Sequence, residues 1–513
     1  MINLSGVFSK EHRSRNFIFL AILIFVLGCI LHFFRGYYWS EDIYVHGWGV
    51  DDAYISFRYG WNLVHFGNLS WNETGFRRTE GFTNPLWVLL SALWSLPGNK
   101  DWVYPGVVAS AVLFSSGLLF MAQRLILERT GKLIALVGVL ILCMTPFMWA
   151  DATSGLESVV FGLVLALLAY LAGHLQVLDR RRKIQLAGFA FIACLLRSDG
   201  AVYVAIVLAG LFFARKPALK QVLAGMLSAS VLLYLFQYLC FGTFVPNTAI
   251  AKLNFGLMDR LPLGIEIFLV ILMYGASSFL FMGFKGMRNS GEFRTQIVAA
   301  CVLLGWCGYF IYIGGDTFRE RHLVGAFAYA AMISSDYWGR QKLVDVVKTA
   351  GVLLVLLLVP LLFFDARFSY ANQKPDDPMI LLGKSIALDR ERYGTIVIPM
   401  AGKTPFFAGG DFVDSLGLND PYLATVKLPH FIPGHSAGSK PLAIDIARQH
   451  SPNDYSMVDC SPSQYLVKPE DVRLWVYGAM PADGVHSSFT SRDLQTSSSA
   501  QAMYFCVLID KPH

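Results

Sequence analysis

The stretch Val50-Asp-Asp-Ala-Tyr-Ile-Ser-Phe-Arg-Tyr59 sets two adjacent carboxylates, Asp51 and Asp52, just ahead of a cation, Arg58. A carboxylate held beside a hydroxyl can take its proton as the oxygen attacks, so either aspartate is a candidate general base. Further polar clusters interrupt an otherwise apolar chain: Arg77-Arg-Thr-Glu-Gly-Phe-Thr-Asn84, Ser154-Gly-Leu-Glu157, Arg197-Ser-Asp199, Pro246-Asn-Thr-Ala-Ile-Ala-Lys252 and Gly314-Gly-Asp-Thr-Phe-Arg-Glu-Arg-His322. Lys252, Arg319, Arg321 and Arg58 are suited to holding a departing phosphate through charge-assisted hydrogen bonds. Glu80, Glu157, Asp199 and Asp316, with Asn84, Arg197, Asn247 and His322, are the groups that bind sugar hydroxyls or orient those cations. The segment 37–83 is rich in aromatic rings, Trp71 among them, which offer stacking faces for sugars.

Each feature has a plainer counterpart. An Asp-Asp pair also serves as a solvated loop or helix cap, and Glu157 and Arg197 near span ends also fit paired structural charges. Tyr and Trp near a membrane commonly form interfacial belts. Asn68-Leu-Ser and Asn72-Glu-Thr match a glycosylation sequon that occurs often by chance. The chemical reading gains weight because the polar clusters fall on one side of the membrane once the spans are placed.

The elements that must position these residues are membrane spans. Of 513 residues, 55% are hydrophobic and only 15% charged, with a mean hydropathy of +0.49. Apolar runs approach or exceed the roughly 18 residues that cross a hydrocarbon core as helix, the form that satisfies its own backbone in lipid. Basic clusters, beginning with Lys10, Arg13 and Arg15, mark the cytoplasmic side. Placing them all inside predicts eleven spans at about 16–36, 102–122, 132–150, 156–175, 184–197, 199–214, 221–241, 262–283, 296–313, 321–338 and 347–364. Segment 84–97, bracketed by Pro85 and Pro97, is expected to lie at the interface or re-enter. The two short spans within 184–214 are expected to hinge at Arg197-Ser-Asp-Gly200. The N-terminus is then cytoplasmic and the C-terminus outside. The net charge of +6 belongs to this orientation signal, and no nucleic-acid partner is expected.

These readings divide the chain into a transmembrane catalytic domain at 1–365, with a first outward loop at 37–83, and a periplasmic domain at 366–513. The latter carries turn signals and alternating stretches such as Thr395-Ile-Val-Ile-Pro, which suit an α/β or mainly β domain. Six cysteines lie in or beside spans, where small apolar packing is the usual role. Cys460 and Cys506 fall in the outward domain, where oxidation is permitted, and are expected to pair. No spacing resembles a zinc site. No cofactor is required, although carboxylate pairs of this kind can hold Mg²⁺ or Mn²⁺ against phosphate oxygens.

Asp51-Asp-Ala-Tyr-Ile-Ser-Phe-Arg-Tyr59, Trp71-Asn72 and Glu80-Gly-Phe-Thr-Asn-Pro-Leu-Trp87 resemble the first-loop signature of a GT-C glycosyltransferase family. That family includes the mycobacterial terminal β-(1→2)-arabinofuranosyltransferase and related bacterial enzymes, one group of which glycosylates type IV pilins. Ser154-Gly-Leu-Glu157, Arg197-Ser-Asp-Gly200, Pro246-Asn-Thr248 with Lys252, Gly315-Asp316 with Arg319 and Arg321, Asp414-Ser-Leu-Gly-Leu-Asn-Asp420 and Gly434-His435 are similar to its later blocks. The resemblance implies a multi-span inner-membrane enzyme with a periplasmic cap. The implied donor is a polyprenyl-phosphate sugar, decaprenyl-phosphate arabinofuranose best known. The implied acceptor is a glycan or pilin-like protein, and the first-loop aspartate is the implied base. Arg197-Ser-Asp stands where relatives often carry Arg-Pro-Asp or Arg-Pro-Glu. A polyprenyl-phosphate-mannose-dependent mannosyltransferase differs only in donor. A lipid-linked-sugar transporter or flippase instead needs its charges near mid-membrane.

Overall fold

The computed structural model describes residues 10–38, 49–74, 76–252, 254–316, 319–364, 378–388, 390–432, 435–452, 455–461, 472–477 and 505–510. The chain folds into two compact units. One comprises Met1–Phe33, Val108–Leu233 and Leu257–Asn372; the other comprises Phe34–Val107, Tyr234–Gly256 and Gln373–His513. The second unit therefore gathers the segment after the first helix, the Pro246–Lys252 segment and the C-terminal region, which the hydropathy pattern assigns to separate parts.

Helix, continuous or broken, covers every segment expected to span. Among the described residues, four helices are long and apolar enough to cross a membrane alone: Arg15–Phe34, Lys100–Thr130, Leu219–Phe241 and Phe293–Tyr312. The expected span at 132–150 is a broken one, Leu133–Cys143 and Pro146–Ala152 meeting at 61°. Pro146 explains the break, since a proline lacks the N–H a continuing helix needs. The expected span at 156–175 is the helix Ser158–His174, of 17 residues.

In the first unit, Ser158–His174 is buried along almost its whole length and packs against Val324–Ile333, also buried throughout. Both are apolar all round, as central helices must be. Close approach is secured at Gly162, where a Cβ would lie 2.8 Å from the Gly325 nitrogen. The expected hinge is present: Arg180–Leu196 ends at Arg197, and Gly200–Phe213 begins after Asp199. A Cβ on Gly200 would meet the Ala193 carbonyl oxygen at 2.4 Å, so this tight turn takes no larger residue.

In the second unit, the segment read as loop contains the helix Asp51–Phe66, with both aspartates in its first turn. Acidic side chains there complement the positive end of the helix. It packs on Pro85–Ser95, Gly60 lying against Ser91 and Ala92. The described residues of the C-terminal region carry seven strands: β1 (Thr395–Ile398), β2 (Phe412–Asp414), β3 (Lys427–Ile432), β4 (His435–Ala437), β5 (Tyr455–Ser461), β6 (Val472–Tyr477) and β7 (Phe505–Asp510). A five-stranded sheet runs β2-β1-β5-β7-β6, and β3 and β4 form a separate pair. β1 lies parallel to β2 and β5, while β7 is antiparallel to β5 and β6. Parallel neighbours need crossover connections: helix Lys403–Ala408 joins β1 to β2, and Lys440–His450 lies between β2 and β5. Ser439 caps the latter, accepting the Leu442 N–H at 3.4 Å. β1 is buried on both faces rather than alternately, as a central parallel strand must be.

Candidate functional site

In the first unit, six of the expected residues converge, all at helix ends. Glu157 stands immediately before Ser158–His174, and Arg197 and Asp199 form the turn between two helices. Asp316 follows Gly314 and Gly315, whose φ angles of 89° and 76° turn the chain after Phe293–Tyr312 with a conformation that favours glycine. Arg321 and His322 lie on the short 3₁₀ turn Arg319–His322.

Arg197 organises this cluster. Its Nε and Nη2 donate to the two Asp199 oxygens at 2.8 and 3.0 Å, and its Nη1 donates to Glu157 at 2.9 Å. Arg321 Nη2 donates to Asp316 at 2.8 Å, and the same carboxylate oxygen lies 3.2 Å from His322 Nε2. Tyr203, outside every sequence motif, places its hydroxyl 3.2 Å from both the His322 ring and its carbonyl. A signal for it exists: Tyr203 is the lone polar side chain in Gly200–Phe213. Among the described residues no group of three or more His, Cys, Asp or Glu side chains is arranged to hold a metal ion. Glu157, Asp199 and Asp316 each face a guanidinium instead. The side chain of Arg319 lies outside the described residues.

In the second unit the two aspartates separate in role. Asp51 accepts the backbone N–H groups of Gly402 at 3.0 Å and Lys403 at 2.7 Å, one on each oxygen. Asp52, half-buried beside it, takes part in neither bond. Lys252 closes the short helix Asn247–Lys252 and is half-buried.

Several residues expected to touch substrate make contacts within the fold. Arg58 is buried, and its guanidinium donates to the carbonyls of Trp71, Pro405 and Gly410 between the Trp71 and Phe412 rings. Burial lowers its pKa to about 10 despite the nearby Glu73 and Asp411 carboxylates. Three of its N–H donors thus hold backbone carbonyls, clamping Trp71 to the Pro405–Gly410 segment. Trp71 is likewise core, its indole N–H donating to Ala401 at 3.1 Å. Asn247 donates to the carbonyls of Gly417, Leu418 and Asp420, and Asn84 accepts the Ser56 hydroxyl at 2.8 Å. Asn72 exchanges both amide groups with the Phe412 backbone, which occupies the sequon side chain. Asp414 accepts two N–H groups from Asn419 and one from Leu416, yet burial still pushes its pKa up to about 6. Register sets Cys460 opposite Cys506 on β5 and β7; their side chains, and that of His435, lie outside the described residues, as does Gly434.

Glu80 differs from these. It is 2% exposed, one carboxyl oxygen has no hydrogen-bond partner among the described residues, and burial pushes its pKa up to about 8 although Gln237 bonds to it. Between about 4.5 and 8 the folded chain therefore keeps a proton that the unfolded chain releases, so stability falls as pH rises through this window and levels off above it. Glu80→Gln, which mimics the protonated acid, is expected to match wild type at about pH 5. At about pH 9 it should be more stable by roughly 3–5 kcal/mol. Thermal unfolding in detergent at the two pH values measures this, and equal melting under the alkaline condition would refute it.

No protein-family model matches the sequence, and no curated protein matches it. Among solved structures, the chain is similar to the archaeal oligosaccharyltransferase AglB from Archaeoglobus fulgidus, in complex with an inhibitory peptide and a dolichol-phosphate. The TM-score is 0.54 at 12% identity, covering 88% of this chain and 69% of that one. The overall fold is thus shared with that structure, and four of the described helices are long and apolar enough to cross a membrane.

Proposed function

We propose that the protein is a glycosyltransferase that moves a sugar, D-arabinofuranose, from a polyprenyl-phosphate donor to a glycan or protein acceptor on the periplasmic side of the bacterial inner membrane. The observation that carries this is the fold shared with an oligosaccharyltransferase across most of the chain. The dolichol-phosphate and peptide bound by that enzyme support a lipid-phosphate donor and are compatible with a protein acceptor. The arabinose assignment rests on the first-loop motif alone.

In this reading Asp52 takes the proton of the acceptor hydroxyl while that oxygen bonds to the anomeric carbon. The bond from that carbon to the phosphate oxygen breaks, and the electron pair leaves on polyprenyl phosphate. Lys252 meets the charge that develops on the leaving phosphate. Asp51 positions the helix that carries Asp52, through Gly402 and Lys403.

The test is transfer by purified protein in detergent, given synthetic polyprenyl-phosphate arabinofuranose or its mannose counterpart with a panel of glycan and peptide acceptors. Consumption of the arabinose donor alone is the expected result. Turnover of mannose alone would reassign the donor, and no turnover or binding of either would remove the enzymatic reading. Lys252→Ala is expected to weaken donor binding by about 10–100-fold, the usual worth of a charged hydrogen bond. Unchanged donor affinity in a titration would take Lys252 out of the phosphate site.

A further inference from the structure

The five-stranded sheet has a hollow at its edge that no step of the proposed reaction uses. An open cavity of about 480 Å³ lies between the edge strand β2, the helix Lys440–His450 and the segment around Phe76. Small-molecule sites run to roughly 300–1,000 Å³, so its size is ordinary for one. The floor is apolar: Val413, Leu442 and Ile446 pack together with Phe76, whose ring stacks on His450 at 3.9 Å. Around that floor stand groups that water reaches. Tyr422 is 59% exposed, Arg77 and Gln449 are exposed, and Asp420 is half-buried.

The lining rejects most ligand classes. Among the described residues its charges are three carboxylates, Asp414, Asp420 and Asp445, against one guanidinium, Arg77, with His450 beside them. An anion such as phosphate is therefore repelled. A cation is poorly served too, because Leu416 and Asn419 N–H groups already occupy the two Asp414 oxygens, and Asp445 pairs with Arg448 at 3.6 Å. An extended peptide adding to the sheet needs the open backbone of β2. Asn72 already holds both the N–H and the carbonyl of Phe412 there.

A neutral polyhydroxyl ligand meets none of these obstacles. Asp420 accepts the Tyr422 and Leu423 N–H groups on Oδ1, both at 2.9 Å, which fixes the carboxylate and leaves Oδ2 to accept a hydroxyl. Arg77 can donate to a hydroxyl oxygen, and the Gln449 amide can both donate and accept. The exposed Tyr422 ring offers an apolar face to the C–H side of a sugar. We propose that this cavity is a glycan-binding site that holds a short stretch of a neutral oligosaccharide. That the oligosaccharide is the acceptor of transfer rests on the reading above; that it binds here does not. The placement suits an acceptor, since register sets Asp414 beside Ile398 at the end of β1. From β1 the chain runs on to Gly402 and Lys403, which hold Asp51, so one sheet carries both the cavity and the tether of the helix bearing Asp52.

The experiment titrates the full chain in detergent, without donor, with an arabinofuranosyl oligosaccharide, a mannosyl oligosaccharide of equal length and an oligogalacturonate. Wild type is expected to bind a neutral probe saturably and more tightly than the anionic one, and the neutral probe it prefers names the sugar. Tyr422→Ala and Asp420→Asn should each weaken that binding about tenfold, the worth of a lost ring contact or charged hydrogen bond. Tyr422→Phe, which keeps the ring, should retain most of the affinity. Asp420→Asn keeps an oxygen for the Tyr422 and Leu423 N–H groups while removing the charge. Saturable binding that is unchanged in both Tyr422→Ala and Asp420→Asn overturns the proposal, as does binding of the oligogalacturonate alone or no saturable binding of either neutral probe. Should Asp420→Asn fail to fold, Tyr422→Ala decides alone, its side chain being mostly exposed. Because no donor is present, failure of glycosyl transfer would sink the enzymatic reading without touching this result.

Discussion

Asp52→Asn is expected to abolish transfer, lowering turnover by roughly 10²–10⁴-fold, while the protein is still expressed and inserted in the membrane. Asp51→Asn should behave in the opposite way. Its carboxylate accepts one N–H on each oxygen, from Gly402 and Lys403. An amide replaces one of those acceptors with a donor, so an N–H group would then face an NH₂. Losing a charge-assisted bond of this kind costs about 1–3 kcal/mol. The variant should unfold earlier yet retain measurable turnover once donor and acceptor saturate it. Side-by-side turnover and thermal unfolding of the two variants decide the assignment. If Asp51→Asn is dead at wild-type stability and Asp52→Asn is active, the base is Asp51 and the tether is incidental. If both turn over normally, the base lies elsewhere.

Sequence alone cannot assign those roles, for a specific reason. Two adjacent aspartates look alike until the chain that folds against one of them is known, and Gly402 is 351 residues distant from Asp51. The same holds for asparagines: a backbone-bridging amide such as Asn247 or Asn72 is indistinguishable in sequence from one that binds a hydroxyl. The aromatic residues mislead for a different cause. Taken as loop, 37–83 offers rings to solvent; as the helix Asp51–Phe66 it turns Tyr54 and Tyr59 into the core, and Trp71 packs there too. Acidic residues followed by an apolar run are a helix-start signal within reach. What does show through is discontinuity. The polar Arg197-Ser-Asp-Gly200 inside an apolar run marks a helix break, and Glu157 and Asp316 mark the ends of others. That these breaks share one cluster requires the helix packing secured at Gly162 and Gly200, which no periodicity encodes.

That cluster yields the second large effect. Arg197→Gln is expected to destabilise the protein by about 3–5 kcal/mol, the range for breaking a buried ion pair from one side. The side chains of Glu157 and Arg197 are 2% and 8% exposed, so solvent cannot replace the lost donor. Asp199, at 23%, can recover part of its hydration, which makes Glu157 the main source of the loss. Glu157→Gln made on the Arg197→Gln background should therefore recover stability rather than add damage, giving a coupling of about 0.5–3 kcal/mol in a double-mutant cycle. Arg197→Lys keeps the charge without the two-pronged bond to Asp199 and should fall between. Denaturant or thermal unfolding in detergent supplies the four corners of the cycle. Additive losses would mean that Glu157 and Arg197 do not stabilise one another, and that the cluster is held by Asp199 and the Gly200 turn alone. Strong coupling joined to lost transfer in Arg197→Lys, at nearly wild-type stability, would assign the geometry of this pair to the reaction as well as to the fold.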